Sequence, residues 1–441
     1  MTILTPTQIL RLNVLGGGFP DDVLLGNLLN ELLENTLFKD AFGRGRVASP
    51  TTLFDSKQDF SSQALQFSES LVGGGGILYE QAFARSRLST AGGAADRAIR
   101  QTKRYLPYQT GKSQSVSLGV APNGGDSVKI VLRSATSGSP VDTVVEQASW
   151  NKDTLDGSGT SSPGSAAAAN NPSGLSLDLT KTQLMILDFS GAGVGTVQVG
   201  FVLGGSVVYV HEFNESNLGA VAYMQTPNLP VRWELENVSG AAQKKFGYFD
   251  ANNGIFCRVD SSALTETLDA LGCSVISDGG VQGFGNQRTA SRAGTAAAVT
   301  NTPEPVISLR LKAASPRVSV LPTLLSLLSD TPGSIFYQIV LNPTFTGGAG
   351  FSWVSVANSA VEYDVTHDGA YDGNGTVLSE GYFSDETEET LFDKASESLA
   401  SALALASDVA GTPEILSVIC RNASGTNAEN IFAALSWVEE F

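Results

Sequence analysis

Apolar and polar positions alternate with period two through much of the chain between residues 113 and 260. The runs SQSVSLGVA (113–121), SVKIVLRSAT (127–136), TVVEQASW (143–150), QLMILDFS (183–190), TVQVGFVL (196–203), SVVYVHEF (206–213) and VRWELEN (231–237) are short and β-branched, the mark of half-buried strands. Turn chemistry separates them, at APNGGD (121–126), SGSP (137–140), LGG (203–205) and TPNLP (226–230). Such spacing predicts an antiparallel sandwich rather than alternating βα units. Leu203–Gly204–Gly205–Ser206 predicts a tight hairpin, and Asn252–Asn253–Gly254 and Asp372–Gly373–Asn374–Gly375 predict two more. In YMQTPNLPVRWELEN (223–237), Pro227 and Pro230 impose an extended approach to the strand. Alternation then puts Arg232 and Trp233 on opposite faces.

A second β region is predicted from PEPVISLRLKA (303–313), through GSIFYQIVLNP (333–343), FSWVSVANSAVEYDV (351–365) and GTVLSEGYFS (375–384). EILSVICRNAS (414–424) and ENIFAALSWVEEF (429–441) read as two closing strands forming a terminal hairpin. ASESLASALALAS (395–407) fits either a strand or a helix. Two helices are expected. PDDVLLGNLLNELLENTLFKDAF (20–42) carries a wide leucine stripe, with Asp21 and Asp22 at its positive end. SSALTETLDALG (261–272) reads as a short one. Residues 1–15 look like an extended apolar arm, GGG (16–18) detaches it, and VGGGG (72–76) reads as a hinge. The predicted fold class is therefore mainly β: an N-terminal arm and amphipathic helix (1–80) for docking or oligomerisation, a linker (81–97), a central sandwich (98–293) and a C-terminal β domain (294–441).

Composition sharpens this picture. Charged residues are 16 % of 441, low against the usual ~25 %, and 47 glycines accompany abundant Ser, Thr, Ala and Asn. Surface of that kind suits permanent burial between copies. The net charge of −17, from 44 acidic and 27 basic residues, opposes general nucleic-acid binding, which needs cations against phosphate. Arg85, Arg87, Arg97, Arg100, Lys103, Arg104 and Lys112 form a local basic run, expected as a solvated face or self-complementary contact. The N-terminus lacks a basic segment before a long apolar run, and no stretch reaches ~18 apolar residues, so neither a signal peptide nor membrane insertion is expected. Cys257, Cys273 and Cys420 are too scattered for a disulfide framework or metal knuckle and read as buried small hydrophobes.

Chemistry is sparse. His211 alternates with Tyr209 and Phe213 as a core-edge imidazole, and His367 sits in a polar loop. Asp364, Asp368 and Asp372 are four apart, the wrong spacing for a calcium loop, and read as turn residues. GAGVG (191–195) precedes a strand rather than a helix, so a dinucleotide loop is rejected. No catalytic, cofactor-binding or metal residues are assigned, no cofactor is expected, and the chain is not read as an enzyme. The candidate interface residues are Leu25, Leu28, Leu29, Leu32, Leu33, Arg100, Arg104, Tyr105, Arg232 and Trp233.

The stretch from 98 to about 293 resembles a family of uncharacterised virion structural proteins of tailed bacteriophages, common in aquatic phages and often labelled tail-fibre proteins. KRYLPYQTGKSQSVSLG (103–119), ASWNKDTLDGSG (148–159), LDLTKTQLMILDFSGAGVGTVQVGFVLGGSVVYVHEFNESN (177–217), YMQTPNLPVRWELEN (223–237) and CSVISDGG (273–280) carry the resemblance. The sequence departs around Phe189–Ser190–Gly191, where members carry more aromatic residues. The resemblance implies a place in a virion assembled in the host cytoplasm: a tail or baseplate fibre or adaptor subunit for host attachment, or a capsid-decorating or vertex fibre. The implied partners are other copies of the chain, with a homotrimer by analogy to threefold fibre shafts, and neighbouring virion proteins. A host-surface glycan is a further candidate partner, and a carbohydrate-binding receptor-recognition module is the alternative reading. Tryptophan or tyrosine exposed on one face would favour it, since sugars stack on aromatic rings. A depolymerase is a third class and would need a carboxylate pair in a groove.

Overall fold

The computed structural model describes residues 50–108, 111–158, 171–190, 195–217, 222–224, 226–279, 286–292, 294–330, 333–384, 404–425 and 427–440, and the backbone of 386–390. The described residues contain strands and two single 3-10 turns, Gln81–Phe83 and Gln147–Ser149, and no α-helix. The mainly antiparallel β expectation is met. The arm and the helix of 20–42, with Leu25, Leu28, Leu29, Leu32 and Leu33, lie outside the described residues, and nothing described supports that half of the expectation.

Two sandwiches take all the described strands except Phe345–Thr346 and Ala370–Tyr371, which pair with each other. The first faces an eight-stranded sheet against a seven-stranded one. The eight-stranded sheet runs Ser206–Asn214, Thr196–Leu203, Gln183–Ser190, Ser113–Ala121, Thr267–Asp278, Arg85–Ser89 and Gly76–Glu80, with Pro50–Lys57 paired to Thr267–Asp278. The seven-stranded sheet runs Phe67–Val72, Arg97–Thr102, Val231–Val238, Ala241–Phe249, Gly254–Ser261, Ser127–Ser134 and Val141–Glu146. Their inward alternate positions, among them Val116, Leu118, Leu187 and Val199 from one sheet and Trp233, Leu235 and Phe246 from the other, form one continuous core.

The second sandwich pairs a five-stranded sheet with a six-stranded one. The five-stranded sheet runs Asn286–Ser291, Glu429–Glu440, Ser319–Ser329 and Glu386–Thr390, with Ala297–Val299 also on Glu429–Glu440. The six-stranded sheet runs Val354–Ser355, Val361–Asp364, Glu304–Leu311, Ile415–Asn422, Ile335–Leu341 and Thr376–Phe383. Leu309, Ile339, Val418, Leu325, Leu435 and Trp437 fill the space between them.

Several expectations need correction. Residues 50–97, expected as docking segment and linker, supply strands to both sheets of the first sandwich. Gly75 is no hinge: a Cβ there would meet the Arg97 carbonyl at 2.0 Å, so the turn is clamped. The segment 267–272, expected in a helix, opens the long strand Thr267–Asp278; Leu268 and Ala270 face the core, and strands on both sides outweigh local helix propensity. The last two strands do not form a hairpin, because Ile415–Asn422 and Glu429–Glu440 belong to opposite sheets. Asp372–Gly375 likewise links different sheets rather than two paired strands. The hairpin at Gly204–Gly205 is present, with φ of 61° and 84° that glycine adopts without steric cost.

Polar contacts cross the seam between the sandwiches. Lys103 Nζ lies 2.5 Å from Glu414 Oε1. Arg317 reaches Asp250 at 2.8 Å and donates to Thr226 Oγ1 at 2.7 Å. The Tyr105 carbonyl accepts from Ser319 Oγ at 3.4 Å.

Candidate functional site

The outward side of the six-stranded sheet follows from its register. Phe336 lies between Tyr382 and Arg421, Gln338 between Glu380 and Ile419, and Ser308 between Ser417 and Asp364. The intervening residues Tyr337, Ile339, Val418 and Leu309 point into the core, which fixes the first set as the outer face. Its open end is aromatic. The Phe336 and Tyr382 rings meet at 4.9 Å with a 51° tilt, and the Arg421 guanidinium lies 5.0 Å from the Phe336 centroid. Tyr382 is 67 % exposed. One residue pair along, Gln338 Nε2 donates to Glu380 Oε2 at 2.9 Å. An open ring face, an amide and a carboxylate therefore stand side by side.

Two loops fold over the other end of this face. Trp353 stacks on Phe351 at 4.8 Å and 24°, while the Arg310 guanidinium sits 4.3 Å from the Trp353 ring and binds Glu362 at 2.6 Å. Asp364 accepts the backbone N–H groups of Ser352 at 2.6 Å and His367 at 2.8 Å, and Asp368 accepts that of Ala349 at 2.6 Å. A Cβ on Gly369 would come within 2.6 Å of His367 and 2.7 Å of the Gly347 carbonyl, so the two loops interlock only through glycine. Hydrogen bonds from Thr344 and the Asn374 N–H hold the Asp372 carboxyl below the usual carboxylate range. The three aspartates thus act as turn residues. His367, expected in a polar loop, is buried edge-on against Phe345 and Phe351 at 4.5 and 4.4 Å. Among the described residues no three His, Cys, Asp or Glu side chains converge as for a metal ion.

The remaining candidates are structural in position. Trp233 and Arg100 are fully buried in the first sandwich; Arg100 lies over Phe67 at 4.2 Å and pairs with Glu69. Arg104 is buried and donates to the Leu53 carbonyl at 3.1 Å. Arg232 is buried on the outward side of the seven-stranded sheet, where it binds Glu234. Tyr105 is half-buried at the seam beside Asp250 and Arg317. Of these five, Arg100, Arg104, Arg232 and Trp233 are buried within their own chain and Tyr105 is partly exposed.

The basic run resolves into ion pairs instead of a solvated face. Arg85 and Arg87 grip Asp269 at 2.7 and 2.8 Å, and Arg97 binds Glu234 at 2.9 Å. His211 is buried against Phe213 at 4.6 Å, with burial lowering its pKa. The three cysteines are buried and free, and burial pushes their thiols up.

Sequence reasoning placed Phe336 and Tyr382 in strands but did not single them out. The available signal was the doublet FY (336–337) facing YF (382–383). In each doublet one ring joins the core and the other points out; Tyr337 and Phe383 pair inside at 6.1 Å.

No family model matches the chain, and no curated protein matches it. Similar solved structures include the lectin from Bauhinia forficata in complex with GalNAc, at 10 % identity, covering 52 % of this chain and 98 % of that one, with a TM-score of 0.18. The CBM22-1–CBM22-2 tandem domain from Paenibacillus barcinonensis Xyn10C shows 7 % identity, 89 % and 99 % coverage and a TM-score of 0.21. The Bacillus licheniformis β-glucanase shows 6 % identity, 52 % and 98 % coverage and a TM-score of 0.17. Likeness at this level carries no argument about function.

Proposed function

We propose that the chain is a recognition protein without bond-making chemistry, and that the outward face of its second sandwich binds carbohydrate. The observation that carries this reading is Tyr382, 67 % exposed on a sheet face where Phe336 supports it and Gln338 and Glu380 flank it. Among the described residues Trp150, Trp233 and Trp437 are buried, Trp353 is half-buried, and Tyr382 is the one exposed ring besides Phe60 and Phe83. An aromatic ring offers an apolar face to the C–H side of a sugar, while amide and carboxylate groups meet its hydroxyls. A glycan array with the purified chain, followed by titration of the strongest ligand against Tyr382→Ala, tests the reading. Losing one stacking contact of ~1–1.5 kcal/mol weakens binding about tenfold. Absence of binding to any glycan at millimolar concentration, or full affinity in the variant, overturns it.

A second reading, compatible with the first, is that the chain is a subunit of a tailed-phage particle. The resemblance across 98–293 supports it. So does the open side of the first sandwich, where edge strands Phe67–Val72 and Gly76–Glu80 leave Leu71 53 % and Leu78 62 % exposed, beside Phe83 at 64 %. Apolar side chains along two edge strands suit coverage by a sister chain. Mass in solution at two concentrations tests this: Leu78→Glu shifts an oligomer toward monomer, and a wild-type monomer at all concentrations removes the reading.

A further inference from the structure

A cleft of about 530 Å3 opens at the seam between the sandwiches. It lies at Thr376, the opposite end of the strand that carries Tyr382, so the two places are roughly 20 Å apart at ~3.3 Å per residue. Both sandwiches build it: Ser61, Gln63 and Lys103 line it from the first, Asn342 and Thr376 from the second. Leu65, also in its wall, packs against the core of the second sandwich. Clefts of this size at domain junctions are the usual places for small ligands.

The lining restricts what could enter. Its one cation, Lys103, already holds Glu414 at 2.5 Å, and no carboxylate or aromatic ring lines the cleft. A free anion and a cation lack a matching partner there, and the apolar part of the wall is aliphatic, from Ala64, Leu65 and Leu341, as would suit the C–H face of a sugar ring. What the lining offers is hydrogen-bond donors. The backbone N–H of Ile415 donates to Asn342 Oδ1 at 2.9 Å, which fixes that amide's orientation and leaves its NH2 as the group available to a ligand. Gln63 is bound in the same manner, its Oε1 accepting from Ser56. The Ser61 and Thr376 hydroxyls and the remaining ammonium hydrogens of Lys103 complete the set.

The backbone adds a second observation. Gln63 and Asn342 face the cleft from opposite sandwiches, and both hold left-handed φ, 54° and 52°. That conformation is uncommon for residues other than glycine; Ala84, Asn123, Leu155, Asn217, Ser239 and Asn358 also hold it, and at the cleft it belongs to the two loop residues whose amides line opposite walls. We propose that this cleft is a binding site for a neutral polyhydroxylated ligand, a sugar ring or short glycan unit, separate from the aromatic sheet face. The proposal rests on the carbohydrate reading but on different residues.

Calorimetric titration of the full chain with lactose, maltose and galacturonate tests it. Asn342→Asp keeps the acceptor for the Ile415 N–H while removing the donors, and Thr376→Val preserves shape while removing the hydroxyl. The expected result is that the double variant melts like wild type and loses at least about tenfold in affinity for a neutral disaccharide at a site that Tyr382→Ala leaves intact. Loss confined to Tyr382→Ala overturns the cleft and leaves the sheet face standing. Loss confined to the double variant does the reverse. Galacturonate binding more tightly than both disaccharides overturns the neutral-ligand assignment, and no binding of any probe by wild type overturns both sites. If the double variant melts lower, Thr376→Val alone decides, with a loss of affinity expected and unchanged affinity overturning the cleft.

Discussion

The two sandwiches carry the same device on an outward sheet face and use it in opposite ways. In the first, Phe249 and Phe256 pair at 4.4 Å, with Arg133 over Phe256 at 5.1 Å and Arg232 over Phe249 at 5.3 Å. Both rings are fully buried and form, with Val131, a small core of their own. Next to them Glu234 is buried among Arg97, Arg232 and Lys245. In the second, Phe336, Tyr382 and Arg421 repeat the ring pair and its guanidinium, but Tyr382 is open and its neighbours Gln338 and Glu380 satisfy each other at the surface. Similar side-chain types, with Tyr382 in place of a second Phe and one arginine in place of two, thus act as structure in one place and as an accessible surface in the other. Burial is what separates the two roles.

The largest effect that could break this comparison is in the closed copy. Phe256→Ala removes a fully buried ring and is expected to cost ~3–5 kcal/mol in urea unfolding; a cost near zero would mean that the face is open after all. Next comes Glu234→Gln. Burial alone would push that carboxyl up, but Arg232, Lys245 and Arg97 together outweigh it and hold its pKa at about 2. Removing the charge leaves buried cations underpaired and is expected to cost about 3 kcal/mol. The folded pKa lies below the unfolded one, so the stabilisation is complete above about 4.5 and is lost as the pH falls toward about 2. Acid titration of wild type against Glu234→Gln reads this directly: the stability gap closes over that range.

A smaller effect is expected at the seam. Glu414→Gln weakens the pair with Lys103 and should lower stability by about 1 kcal/mol, less at high salt. The smallest is in the open copy. Tyr382→Ala should change stability by no more than ~0.5 kcal/mol, as surface substitutions do, while weakening glycan binding at the sheet face about tenfold. A stability loss equal to that of Phe256→Ala would erase the distinction between the two faces.

Much of the fold was legible because alternation is local. Trp233 entered the core and Arg232 faced outward as the VRWELEN pattern required, and Gly204–Gly205 announced their hairpin. What could not be read was pairing between distant strands. Residues 50–97 look mixed on their own and become strands only against partners such as Val231–Val238 and Thr267–Asp278. The segment 261–272 has helix-forming residues, yet Asp269 is needed where Arg85 and Arg87 converge. The candidate site was hidden for the same reason. FY and YF mark strands with rings on both sides, but only the edge position of Thr376–Phe383 leaves Tyr382 uncovered.

The most direct measurement is a hydrogen-exchange footprint of the chain with and without the strongest glycan from the array. The account expects slowed exchange in Ile335–Leu341 and Thr376–Phe383, centred on Phe336 and Tyr382, and no change across Ala241–Phe249 and Gly254–Ser261. Protection confined to the first sandwich would contradict it.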